Sequence, residues 1–328
     1  MDIVTGPIRP PSEAYSLLIR VTENCPWNRC EFCSVFKEKR FAIRPVADVK
    51  RDILAARRLA DDAIAWARET GATVTEVARY NGIMWLTDEG VRSAFLQDSD
   101  TMIVKAGPLA EVAEFLKQTF PELERICSYA RGKTLCHKTP DEMKRLRAAG
   151  LSRVHIGLET GDDELLAYIQ KGATSADMIE GGKRAVDAGF EVSEYVMPGL
   201  GGRERWQQHV RGTARVLNAV NPHFIRLRSF HVLPGSPMYE KAMRGEYHVQ
   251  SVEGMLTEVR ALIEALDVTS AVVTSDYAWN YFMGDIDGKL PSDRDKLLRS
   301  FDESIAFWRR RGEPERSPFF SARRHTES

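Results

Sequence analysis

Residues 16–33, SLLIRVTENCPWNRCEFC, decide the reading of this chain. In the first seven, Leu17, Ile19 and Val21 fall on one face and Leu18, Arg20 and Thr22 on the other, the two-residue period of a strand. The rest is a loop whose cysteines, Cys25, Cys30 and Cys33, are spaced C-x4-C-x2-C. Strand-like runs recur at 91–97, 125–130, 152–159, 190–197 and 223–232, separated by stretches of helical period. Six such βα units predict an α/β fold with a mainly parallel sheet.

Helices are expected over about 45–70, 72–90, 109–120, 202–220 and 251–266, and near 293–310. Another starts at Thr139, with Pro140 at its first position and Gly150 past its end. The stretch 51–90 exceeds what one crossover needs and reads as a helical insertion. Residues 1–240 then form the barrel domain. Residues 241–328 form a helical extension with one short strand-like run at 271–274 and a flexible tail from Gly312.

Strand parity carries the functional signal. Val154, Ile156 and Leu158 alternate with His155, Gly157 and Glu159, and Ile225 and Leu227 with Arg226 and Arg228. If the apolar faces meet the helices, Arg20, His155, Glu159, Arg226 and Arg228 point inward. A closed eight-stranded barrel fills that space with branched aliphatic residues. Six units with charges inside predict an open barrel with a wet polar cavity; a purely structural ion-pair network is the alternative.

The chain has 328 residues, 43% hydrophobic and 28% charged, with 46 Lys+Arg against 47 Asp+Glu. The balance gives no global electrostatic reason to expect nucleic acid or an anionic membrane. No apolar run approaches the ~18 residues of a membrane span and no signal peptide opens the chain, so a cytoplasmic protein is expected. Five cysteines are too few for a disulfide scaffold. Thiolates select zinc, Cu(I) or iron-sulfur clusters. Zinc wants four protein ligands, which Cys127 or Cys136 could complete. Three thiolates alone would hold a cubane by three irons and leave the fourth open.

The sequence resembles the radical S-adenosylmethionine (radical SAM) enzymes. The resemblance rests on the cysteine loop after strand one with Phe32 before its last cysteine, on GLETG at 157–161, on YVMPGLGG at 195–202 and on FIRLRSFHVLPGSPMYE at 224–240. It is related in pattern to the Elp3 and coproporphyrinogen-dehydrogenase-like branches. The usual spacing there is C-x3-C-x2-C, one residue shorter. The resemblance implies a partial (β/α)6 TIM-type barrel holding a 4Fe-4S cluster on Cys25, Cys30 and Cys33. S-adenosylmethionine would bind the open iron, and a flavodoxin- or ferredoxin-like donor would supply one electron to split a C–S bond.

It further implies that Phe32 meets the adenine and that Glu159 binds the ribose hydroxyls or the methionine amine. Where relatives carry a Gly-Gly-Glu-like turn, this chain has Gln97-Asp98-Ser99-Asp100, so Asp98 and Asp100 become the amine acceptors. Ser128, Arg131 and Ser193 are further candidates for the carboxylate and ribose. Val232 and Leu233 would meet the adenine through backbone groups.

The excess of Arg20, Arg226 and Arg228 over Glu159 predicts an anionic small-molecule substrate, with Tyr195 and His231 lining the cavity. The aromatic run 277–282 reads better as packing. Three functions follow: a 5'-deoxyadenosyl radical enzyme, an enzyme transferring a 3-amino-3-carboxypropyl group, or a non-catalytic metal- or cluster-stabilised module.

Overall fold

The computed structural model describes residues 3–277, 280–282 and 286–311. Its main sheet runs in chain order from one edge to the other: β1 (Leu17–Arg20), β2 (Ser93–Gln97), β3 (Arg125–Ala130), β4 (Leu151–Glu159), β5 (Glu191–Val196), β6 (Phe224–Leu227), β7 (Ala271–Thr274) and β8 (Gly288–Leu290). Neighbours from β1 to β7 are parallel; only β8 is antiparallel. The six expected strands are β1 to β6, and they form the partial barrel. The 271–274 run is β7, which pairs with β6, so the C-terminal segment continues the sheet instead of being only helical.

Helices cover the outer face. The largest are α1 (Val46–Thr70), α3 (Ala106–Thr119), α7 (Ser175–Asp187), α8 (Gly202–Val220), α10 (Val252–Ala265) and α11 (Arg294–Arg311); α2 (Val74–Tyr80), α4 (Gly132–His137), α5 (Pro140–Ala148), α6 (Asp163–Tyr168) and α9 (Pro237–Met243) are short. Helix α1 buries Val49, Ile53, Ala56, Ala60, Ala63 and Ala67, an alanine-rich stripe that packs close to β1 and α3. It is therefore the crossover helix of the first unit. The helix expected over 72–90 shrinks to α2. A capping box at Thr73 and Glu76 starts it, and Gly82, at φ +73°, turns the chain just beyond its end.

The parity reading holds for the outer face. Leu17, Ile19, Val154, Ile156, Leu158, Ile225 and Leu227 are all buried in the core shared by sheet and helices. The interior is layered. Cross-strand register aligns Tyr129, His155 and Ser193, then Gly157, Tyr195 and Arg226 one layer nearer the carboxyl edge, with Glu159 beyond. The tail from Gly312, and Ala278 and Trp279 of the aromatic run, lie outside the described residues.

Candidate active site

Directly after β1, Thr22–Glu23 pairs with Ala42–Ile43 and closes the base of the cysteine loop at the carboxyl edge of the sheet. All three thiols are free and half-buried. Cys30 feels the charges of Cys25 and Cys33, and Cys33 that of Cys25, so the trio shares one neighbourhood. The four-residue spacing is closed by a turn in which Asn28 takes φ +49° and donates its N–H to Cys25 Sγ at 3.3 Å. Lys37 Nζ ties the loop down through the carbonyls of Asn28 and Cys30. Burial pushes the Cys30 and Cys33 thiols up, while the cations of Lys171 and Arg131 pull Cys30 back.

Beside the thiols lies an ion pair that is half foreseen. Glu159 points inward as parity requires, with φ +60° after an irregularity in the β4–β5 register. Its Oε1 accepts from Lys171 Nζ at 2.9 Å, with both side chains nearly closed to solvent. Lys171 also lies 5.7 Å from the centre of the Phe32 ring. Burial would lower its pKa, but Glu159 and then Cys30 raise it overall, so the ammonium stays charged. Gly157 makes room: a Cβ there would come within 2.5 Å of Glu159 Oε1 and 3.1 Å of Lys171 Nζ. Sequence reasoning missed Lys171 because it sits in the turn after α6, where strand parity says nothing. Its one signal is position, following the GLETG strand end.

Several expected ligands are already used by the fold. Asp98 is fully buried and accepts from Arg20 Nε and Nη2 at 3.1 and 2.8 Å and from the Asn24 N–H at 2.9 Å. It anchors the residue before Cys25 and makes Arg20 its partner, not a free substrate cation, while the buried Asp98 Oδ1 has no hydrogen-bond partner among the described residues. Asp100 is equally buried and accepts from Arg131 N–H and Thr134 Oγ1. Burial raises it to about 6 despite those bonds. Ser128 shares the helix-facing parity of Ile126 and Ala130, away from the cavity, and donates to the Tyr129 carbonyl. Ser193 does face inward, where it accepts from Arg226 Nε at 2.9 Å. The Leu233 carbonyl is taken by Ser236, the cap of α9.

Other expectations are brought together. Arg131 donates to the Lys171 carbonyl at 2.7 Å and stacks on Trp27 of the cysteine loop at 5.1 Å. Phe32 and Val232 join one apolar cluster with Met197, Leu200 and Phe230. Arg226 pairs with Asp276, and His231 meets the Tyr281 hydroxyl at 3.1 Å. Arg228 is open to solvent, 4.7 Å from the Tyr277 ring centre, and has no carboxylate partner among the described residues. The buried Tyr195 hydroxyl has no hydrogen-bond partner among them either. The expected surplus of inward cations thus reduces to Arg228.

The opposite end of the barrel is plugged. Glu13, from a turn before β1, lies against His155, Cys127, Arg125 and Ser16 with no exposure. Burial would raise its pKa, but the His155 contact and the Arg125 charge hold it at about 2. Burial lowers His155 to about 4. Cys127 is therefore part of the plug, and Cys136 donates to the Asp177 carbonyl, so neither completes a zinc site with the loop.

The radical SAM superfamily model matches residues 19–211. The chain belongs to that superfamily, whose enzymes use a 4Fe-4S cluster and S-adenosylmethionine, and three free clustered thiols are a donor set that fits such a cluster. Among curated relatives, the tRNA uridine(34) acetyltransferase of Methanocaldococcus jannaschii is 29% identical over 120 residues, 34% of this chain and 22% of that protein. The match spans about a fifth of the relative. Coproporphyrinogen III oxidase (HemN) of Escherichia coli, a radical SAM enzyme, shares the fold at TM-score 0.50 and 14% identity, over 76% of this chain and 51% of that one. The Elp3 of Methanocaldococcus infernus aligns at TM-score 0.49 and 13% identity, over 74% and 58%. No helix among the described residues is long and apolar enough to cross a membrane.

Proposed function

We propose that Cys25, Cys30 and Cys33 hold three irons of the cluster, that S-adenosylmethionine takes the fourth, and that the reaction acts on an anionic small molecule held in the barrel by Arg228. The cluster, once reduced by a flavodoxin- or ferredoxin-like donor in the cytoplasm, supplies the electron that splits a C–S bond of the cofactor. The carrying observation is the Glu159–Lys171 pair beside the thiols. It offers a carboxylate and an ammonium, the two charges complementary to the amine and carboxylate of the methionine moiety. Lys171 has three donors, of which Glu159 occupies one. Phe32 and Val232 supply the apolar wall expected against an adenine. Arg228 and the Tyr195 hydroxyl, which has no hydrogen-bond partner among the described residues, lie on the inner side, where substrate would sit.

The test is anaerobic reconstitution with iron and sulfide, reduction in the presence of S-adenosylmethionine, and chromatography of the nucleosides. 5'-Deoxyadenosine supports the radical reaction. Methylthioadenosine would assign the chain to 3-amino-3-carboxypropyl transfer instead. Absence of both products, with no brown chromophore, would leave a non-catalytic module.

A further inference from the structure

The cysteine loop borders a concavity of about 420 Å³ that reaches Gly172, next to Lys171. Its walls carry Trp27, Lys105, Arg131, Lys133, His137 and Lys138, with Glu142 as the one carboxylate. Four permanent cations thus face one acid, and that acid is bound to the Thr139 N–H as part of the α5 capping box. Lys105 and Lys133 are exposed and make no ion pair among the described residues. Lys138 is nearly buried and donates to the Val104 carbonyl at 2.9 Å.

The positive field continues over the loop itself. Arg29, Lys39 and Arg40 are exposed there without carboxylate partners among the described residues, against Glu38 as the exposed acid. Trp27 belongs to both regions. It lies between Cys25 and Cys30 in sequence, it has Arg29 and Arg131 over its ring, and its indole N–H donates to the Gln170 carbonyl at 2.7 Å. The two remaining cysteines are used elsewhere, so the described residues hold no second thiol cluster to store an electron. An electron for the loop thiols' metal must come from another molecule.

We propose that this cleft and the outer face of the cysteine loop form the docking surface for a small acidic one-electron carrier protein. The proposal rests on the reading of Cys25, Cys30 and Cys33 as cluster ligands. A patch spanning the cleft and the loop is broader than a small anion needs, and its charge is complementary to an acidic protein. Clustered cations of one sign raise the encounter rate with an acidic partner and make it salt-dependent. Docking here brings the carrier against Trp27, three residues from Cys30 in the chain.

The reconstituted full-length protein is reduced anaerobically in a stopped-flow instrument by an acidic flavodoxin and, separately, by photoreduced deazariboflavin, a small neutral reductant. The Lys105→Glu/Lys133→Glu variant is compared with the parent, with Lys105→Gln/Lys133→Gln as a milder version. Flavodoxin-driven reduction is expected to slow by about 10-fold or more at low ionic strength in the charge-reversed variant, less in the neutral one. The parent rate should fall as salt rises, and deazariboflavin-driven reduction should be the same in all three. Equal flavodoxin rates in parent and variants overturn the proposal, as does a loss of bulk tRNA binding in their place, which would assign the cleft to nucleic acid. A protein that neither reductant can reduce refutes the cluster reading, and the docking surface with it.

Discussion

Replacing Lys171 by Met separates what the Glu159–Lys171 pair does for the fold from what it does for the cofactor. Glu159 accepts its 2.9 Å bond with its side chain 12% exposed. Removing the ammonium strands a nearly buried carboxylate, which costs on the order of 3–5 kcal/mol. Adding Glu159→Gln removes the stranded charge, so the double variant should recover a coupling energy of about 2–3 kcal/mol. Denaturant unfolding of the cluster-free protein reads this cycle directly. In the reconstituted protein, losing a charge-assisted bond to the cofactor carboxylate costs about 1.5–3 kcal/mol, or roughly 10- to 150-fold in affinity for S-adenosylmethionine. That loss should persist in the double variant, because the stabilising swap restores no cation. A single variant destabilised by less than about 1 kcal/mol, or strictly additive effects in the cycle, would refute the argument.

Gly157→Ala should fold, because the atoms its Cβ meets are the ends of two flexible side chains. It should lower S-adenosylmethionine affinity by about 10-fold or more, through displacement of the pair it crowds, which calorimetric titration would read. Acid should loosen the barrel plug in two windows. His155, depressed to about 4, makes the folded state lose stability as pH falls from about 6.5, because the unfolded chain takes up the proton first. Glu13, held at about 2, stabilises fully above 4.5 and loses that contribution below it. His155→Phe should abolish the upper window in pH-dependent denaturation and also shrink the lower one, because it removes a contact that holds Glu13 down and leaves the Arg125 charge and the Ser16 bond to do so. Glu194, buried on the helix-facing side of β5 with both oxygens unpartnered among the described residues, has its pKa raised well above 4.5 by burial. Its folded state therefore loses stability as pH rises, and Glu194→Met should gain about 1–3 kcal/mol at neutral pH, by a margin that widens between pH 5 and 8.

Much of the fold was readable because parallel strands buried on one side repeat a two-residue period, which β1, β4 and β6 show plainly, while Ser128 in β3 and Glu194 in β5 interrupt it. The inward direction of Arg20, His155, Glu159 and Arg226 followed from the same period. Their partners did not follow, because they come from segments without a period. Asp98 lies in a turn, Glu13 in an N-terminal turn, Lys171 after a short helix and Asp276 past the expected barrel. Ser128 was misplaced for the opposite reason: a small polar residue near a strand end suggests a ligand, but its parity assigns it to the helices. The C-terminal strand β7 was visible as a four-residue apolar run. Its membership of the sheet was not, because pairing depends on the whole chain.

Those pairings bear on what the cavity can select. Arg20 with Asp98, Arg226 with Asp276, Lys171 with Glu159 and Arg125 with Glu13 leave the interior close to neutral, as buried charge requires. Discrimination among anions then falls on Arg228, beside Tyr277, with the Tyr195 hydroxyl deeper in. A single exposed guanidinium binds a carboxylate or phosphate but selects weakly among them. Replacing Arg228 by Met should therefore weaken every anionic substrate by about 1.5–3 kcal/mol, roughly 10- to 150-fold, without changing the order of preference. Replacing Tyr195 by Phe should change that order, since the site would then lack a buried donor that only some substrates can satisfy. If Arg228→Met left substrate affinity unchanged in the reconstituted enzyme, the anionic assignment would have no cation to rest on, since the other inward cations named above are already matched.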